Sequence, residues 1–97
     1  MSSEVDYTTE KVSVILDRFG IDLSSKGGRA LLCCATVACY DNRRSIGRLC
    51  AEYAAFKQTN VWAVHRNMVN ACKRAKTGHS PGRLIRQVVG EVCKGAD

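Results

Sequence analysis

The stretch Phe56–Lys76, FKQTNVWAVHRNMVNACKRAK, decides how this chain is read. Val61, Val64, Met68, Ala71 and Ala75 recur at the spacing of one side of an α-helix, so this side is expected to pack on a core. About half a turn away lie Ala63, Arg66, Asn67, Asn70, Lys73 and Arg74. Thr59 or Asn60 is placed to cap the helix, which is expected to span about 60–76, and "KQT" before it reads as a tight turn.

Working outward, every other segment also reads as helical. The chain has 1 proline, and its β-branched residues never alternate with polar ones as a strand requires. Upstream, short helices are expected over about Arg43–Leu49 and Ala51–Phe56, ahead of the "KQT" turn. Before them, Lys26–Tyr40 is the most apolar segment and is expected to be the central helix, capped by Ser24 or Ser25 and broken by "YDN". A first helix over about Thr9–Phe19 buries Val12, Ile15, Leu16 and Phe19, with Gly20 as its left-handed stop. Downstream, "TGH" is a break, and Ser80 and Pro81 open a last helix that buries Leu84, Ile85, Val88, Val89 and Val92, with Gly95 just past its end. The expected fold is therefore all-α: one compact domain, residues 1–97, of five to six helices, with residues 1–8 as a flexible N-terminus.

A short helix, a turn and a longer helix form a helix-turn-helix. In its DNA-binding form the second helix enters the major groove. The charge distribution suits that use. Residues 1–25 carry a net −3, whereas residues 42–76 set eight Lys and Arg against Glu52 alone, a net +7. Segregation of this kind favours a polyanionic partner, with double-stranded DNA the first candidate. Arg pairs with guanine O6 and N7, and Asn with adenine N6 and N7, so Arg66, Asn67 and Asn70 are candidate base readers, with His65 beside them. Arg43, Arg44, Lys57, Lys73 and Arg74 are candidates for phosphates, with Thr59 and Asn60 at the amide-rich helix start. Trp62 reads first as a packing residue, and Lys26 and Arg29 as backbone contacts or plain surface.

From Leu16 to Val92 the chain resembles the C-terminal DNA-binding effector domain of the sporulation-initiation response regulator, the stage 0 sporulation protein A family. Two blocks carry the resemblance: LDRFGIDLSSKGGRALLCCA, with Gly20, Ile21, Lys26 and Gly27 in place, and LCAEYAAFKQTNVWAVHRNMVNACKRA, with Leu49, Glu52, Ala54, Thr59 and Val64-His65-Arg66. The resemblance implies a helical transcription-factor domain that binds short DNA boxes, often as tandem copies; a homodimer is the other expected arrangement on DNA. Family base readers cluster at a Val-Glu-Arg and an Arg just before it. Here Arg66 keeps its role, while His65 replaces the Glu, Ala63 the earlier Arg, and Val69-Asn70 a later Arg-His pair. The recognised sequence is expected to differ accordingly. The receiver domain that precedes the module in that family has no counterpart here, so control by its phosphorylation is not expected within this chain.

Other classes find less support. No CxxC or HxxxH occurs, and His65 and Cys72 lie two turns (about 10 Å) apart on a helix, too far for one metal; no metal or cofactor is expected. No carboxylate or oxyanion hole is placed to make a Cys–His pair catalytic, and "KGG" is too short for a phosphate loop, so neither an enzyme nor a small-molecule substrate is expected. His79 reads as a loop residue without chemistry. No apolar run approaches the roughly 20 residues of a membrane span. The 6 cysteines sit in helical patterns and read as reduced, buried small hydrophobes of a cytoplasmic protein. The competing reading is a protein–protein interaction module that kept the fold, lost DNA binding and acts on a related regulator.

Overall fold

A computed structural model describes residues 3–95, with five helices and no strand among them. They are α1 (Ser3–Arg18), α2 (Lys26–Tyr40), α3 (Ile46–Phe56), α4 (Val61–Ala75) and α5 (Pro81–Gly95). The chain is all-α and forms one domain around α2, which packs against each of the other four helices. Its radius of gyration, 12.3 Å, is that of a compact chain of this length, for which about 12.5 Å is expected.

The hub role of α2 follows from its sequence. Ala30, Leu31, Cys34, Ala35 and Ala38 are buried, and small residues let neighbouring helices approach closely. Gly27 shows how closely: a Cβ there would lie 2.0 Å from the Asn67 carbonyl oxygen and 2.9 Å from the Ala71 Cβ. The start of α2 is thus pressed against the middle of α4. Gly28 is equally confined, with a Cβ falling 2.0 Å from the Asp22 carbonyl oxygen in the preceding loop. Of the two serines that compete to cap α2, Ser25 does so, its Oγ accepting from the Gly28 amide at 3.0 Å. Ser24 instead donates to the Asp22 carboxylate.

Three helices end in the same way. Gly20 (φ +85), Gln58 (φ 56) and Lys76 (φ 55) are left-handed, and the next residue's amide reaches back to Leu16, Ala54 and Cys72 respectively. This is the Schellman arrangement, which satisfies carbonyls the helix leaves open. Glycine announces it only at Gly20; at Gln58 and Lys76 it is built from residues that carry no such signal.

The structure corrects several expectations. Helix α1 starts at Ser3 instead of Thr9, so residues 3–8 are helical; residues 1 and 2 lie outside the described residues. The apolar stripe begins at Val12, but no glycine or proline upstream stops the helix, and the Thr8 and Tyr40 hydroxyls, 3.1 Å apart, tie its early turns to α2. The two short helices expected over 43–49 and 51–56 are one. Residues 41–45 form the turn, organised by Asp41, and Ser45 caps α3 through the Arg48 amide at 3.1 Å. Leu49, Cys50 and Ala54 are buried along a continuous face, so nothing interrupts the helix. Gly95 is the last residue of α5, not the one after it. Cys34, Cys50 and Cys72 are buried as expected, but Cys33 and Cys39 are only partly so, and Cys93 is exposed on the outer side of α5. Burial pushes the Cys34, Cys50 and Cys72 thiols above their ordinary range, which keeps them protonated.

Candidate nucleic-acid interface

Helix α4 is anchored by Val64, Met68, Ala71 and Cys72, all buried, with Met68 fully enclosed and its sulfur 3.6 Å from the Cys50 thiol of α3. The four-residue turn Lys57–Asn60 joins α3 to α4, and Asn60, not Thr59, caps α4, its side chain accepting from the Ala63 amide at 2.8 Å. Val61 departs from the expected apolar side: it is 42% exposed, beside Trp62 at 78% and Phe56 at 75%. The turn carries the first turn of α4 to the edge of the core, so Val61 is only partly covered. Cys72 completes the buried stripe at the other end instead.

Opposite the anchor runs the outer side of the helix. At about 100° per residue, Trp62, Arg66, Asn70 and Lys73 fall within about 80° of one another and make a single exposed stripe about 16 Å long. The Arg66 guanidinium lies 5.8 Å from the centre of the Trp62 ring, a cation–π contact that aligns the two along this stripe. His65 and Asn67 sit about 100° to either side of Arg66, so they flank the stripe on opposite edges. His65 is exposed; Asn67 is half-buried, its backbone pressed on Gly27. The four expected base readers therefore divide into Arg66 and Asn70 at the centre and His65 and Asn67 at the two margins.

The expected phosphate contacts divide as well. Lys57 is exposed, its ammonium 5.5 Å from the Phe56 ring centre, and Thr59 is exposed in the turn. Lys73 and Arg74 are exposed in the last turn of α4. Arg74 also contributes to the electrostatics of Asp22, whose carboxyl is held below its usual range first by the Ser24 hydroxyl and amide and then by the Arg74 charge. Arg43 is exposed and has no ion pair among the described residues. Arg44 is occupied: it pairs with Asp41 at 3.1 Å and Glu52 at 2.6 Å, and Arg48 shares Glu52 at 3.3 Å. That network holds the 41–45 turn on α3 and neutralises much of the local charge. Lys26 and Arg29 are exposed at the start of α2.

Trp62, read first as packing, is instead the most exposed large apolar side chain of the described residues. Its position in the first turn of α4 is legible in the sequence; its lack of cover is not, because that depends on where α3 ends. His79 does pack: its ring meets Phe19 edge-on, 6.1 Å between centres, and its Nδ1 is buried without a hydrogen-bond partner. Among the described residues no three of His, Cys, Asp and Glu approach closely enough to hold a metal ion, and no helix is long and apolar enough to cross a membrane. In comparisons with known proteins, no family model, no curated protein and no solved structure matches the chain significantly.

Proposed function

We propose that this chain is a sequence-specific, cytoplasmic DNA-binding transcription regulator whose recognition helix is α4. The observation that carries the reading is the stripe of Trp62, Arg66, Asn70 and Lys73, exposed on a helix whose opposite side is locked into the core directly after a four-residue turn. A groove reader needs this combination, because its side chains gain base discrimination only if the backbone beneath them is fixed. The resemblance of two sequence blocks to the sporulation-regulator effector domain supports the same use.

In this reading Arg66 donates a forked pair of hydrogen bonds to a guanine edge, and Asn70 pairs with an adenine one turn along. Trp62 stiffens Arg66 and lays its apolar ring against the groove wall. His65 and Asn67 reach the two strands bordering the groove. Lys57, Lys73 and Arg74 hold phosphates on either side, and the release of counterions they cause makes binding salt-dependent. Arg44 contributes little, because its charge is already met by Asp41 and Glu52.

Selection of bound sequences from a random duplex library, followed by titration of the selected site, tests this. Arg66→Ala should relax preference at one base pair and cost about 1–3 kcal/mol on the selected site. Lys73→Ala should weaken all duplexes alike and reduce the salt slope by about one. If neither change alters binding to the selected pool, α4 is not the reader.

One observation favours a second reading. Phe56, Val61 and Trp62 form an exposed apolar group around the turn, of the kind that anchors protein partners. In that case the chain acts on a related regulator instead of DNA. Fluorescence titration with random duplex at low salt separates the two, since salt-sensitive binding supports the DNA reading and its absence the protein partner.

A further inference from the structure

A concavity lies where α4 does not reach. It is an open groove of about 780 Å³ between the end of α2, the start of α3 and the outer side of α5, and neither α4 nor the Lys57–Asn60 turn contributes to its lining. Its floor is apolar and firmly packed: Ala38, Leu49, Ile85 and Val89 are all buried. Its rim carries Arg83 and Arg86 from successive turns of α5, and Arg43 from the α2–α3 turn.

The electrostatics of this rim are one-sided. No carboxylate lines the groove, and Arg43, Arg83 and Arg86 have no ion pair among the described residues. Arg44 beside them, by contrast, is held by Asp41 and Glu52. Ser45 and Ser80 also face the groove; each oxygen accepts a capping amide, from Arg48 and Arg83, which leaves the hydroxyl proton to donate outward. Two glycines keep the groove clear along α5. Gly82 sits against Ile46, where a Cβ would meet it at 3.4 Å, and a Cβ at Gly90 would meet nothing within 4 Å.

A concavity of a few hundred Å³ with an apolar floor and a few convergent donors is the form of a small-molecule site. Planar guanidinium forks pair with the oxygens of multiply charged oxyanions, above all phosphate. We propose that this groove binds a nucleotide, its base lying on the Leu49, Ile85 and Val89 floor and its phosphates held by Arg43, Arg83 and Arg86. A duplex backbone would engage the arginines but leave the apolar floor wet, whereas a mononucleotide satisfies both. The inference does not depend on α4 binding DNA.

Fluorescent N-methylanthraniloyl derivatives of ADP and GDP, titrated into the full chain, provide the test. Saturable binding of at least one is expected, displaced by its unlabelled parent but not by equal concentrations of inorganic phosphate or duplex DNA. Arg83→Ala with Arg86→Ala should weaken it by about tenfold or more, since each charge-assisted fork is among the stronger hydrogen-bonded contacts. Gly90→Leu, which grows into open space and improves helix propensity, should abolish binding while helicity stays unchanged. Lys73→Ala should leave nucleotide affinity intact, which separates this site from the α4 stripe. Bound nucleotide should also slow alkylation of Cys93, which lines the groove and is exposed. Lack of saturable binding by both probes overturns the proposal. So does binding that survives Gly90→Leu and the double arginine change, or that phosphate or duplex displaces.

Discussion

Helices α2 and α4 are both 15 residues long, both begin at a side-chain cap, and they press against each other at Gly27 and Ala71. They are used in opposite ways. All four other helices pack on α2, so more than half of it is buried and those letters answer to packing. Helix α4 is held along one stripe only, and its remaining positions answer to whatever it meets outside. The contrast teaches that anchoring and display are divided between neighbouring helices: α2 gives more of its surface to the core than to solvent, and α4 can present a face because α2 fixes it.

The largest effect is expected at the contact between them. Gly27→Ala drives a methyl into the Asn67 backbone, where no rotamer change relieves it, so α4 must move off α2. Thermal or urea unfolding should show a loss of about 3 kcal/mol or more, enough to leave a domain of this size marginal. If stability is unchanged, the close approach of α2 and α4 is wrong. A paired substitution comes next. Leu31→Ala in α2, where the side chain is wholly buried, should cost about 3 kcal/mol, whereas Trp62→Ala in α4 removes a larger but exposed side chain and should stay within about 0.5 kcal/mol. Comparable losses at the two sites would mean that Trp62 is covered in solution.

Smaller effects sharpen how α4 begins and how α2 is entered. Asn60→Ala removes the bond to the Ala63 amide and should lower stability by about 1 kcal/mol, while Thr59→Ala should change little. The smallest concerns Asp22 in the loop ahead of α2. Its folded-state pKa lies below the unfolded value, so its contribution is present above the ordinary carboxyl range and is lost as pH falls through the folded value. The unfolding midpoint of Asp22→Asn should therefore converge with that of the parent in acid and fall below it near neutral pH. A constant gap at all pH values would show that the Ser24 bonds do not depend on the charge.

Several features were legible because they are local. Lys26–Tyr40 emerges with the bounds its apolar run implies, Gly20 stops α1 as its missing side chain permits, and Ser80-Pro81 opens α5. The apolar period of α4 located Val64, Met68 and Ala71 in the core. What misled was also local. Val61 fits the period but not the burial, because the period states which side a residue takes and not how far the core extends. Likewise Asp41 and Arg44 read as a break and a phosphate contact, while in the fold they join Glu52 in a network that holds the 41–45 turn on α3.

By itself, then, the sequence determined an all-helical domain, the identity of its central helix, and a helix-turn-helix with cations gathered on one half of the chain, since helix period, caps and charge are properties of neighbouring residues. Tertiary structure alone decided that Arg44 is neutralised, that Asn67 is half-buried with its backbone on Gly27 while Trp62 stands bare, and that Arg43, Arg83 and Arg86 surround one apolar groove. Each of these depends on residues distant in the chain arriving at one place, and no local pattern encodes where two helices will meet.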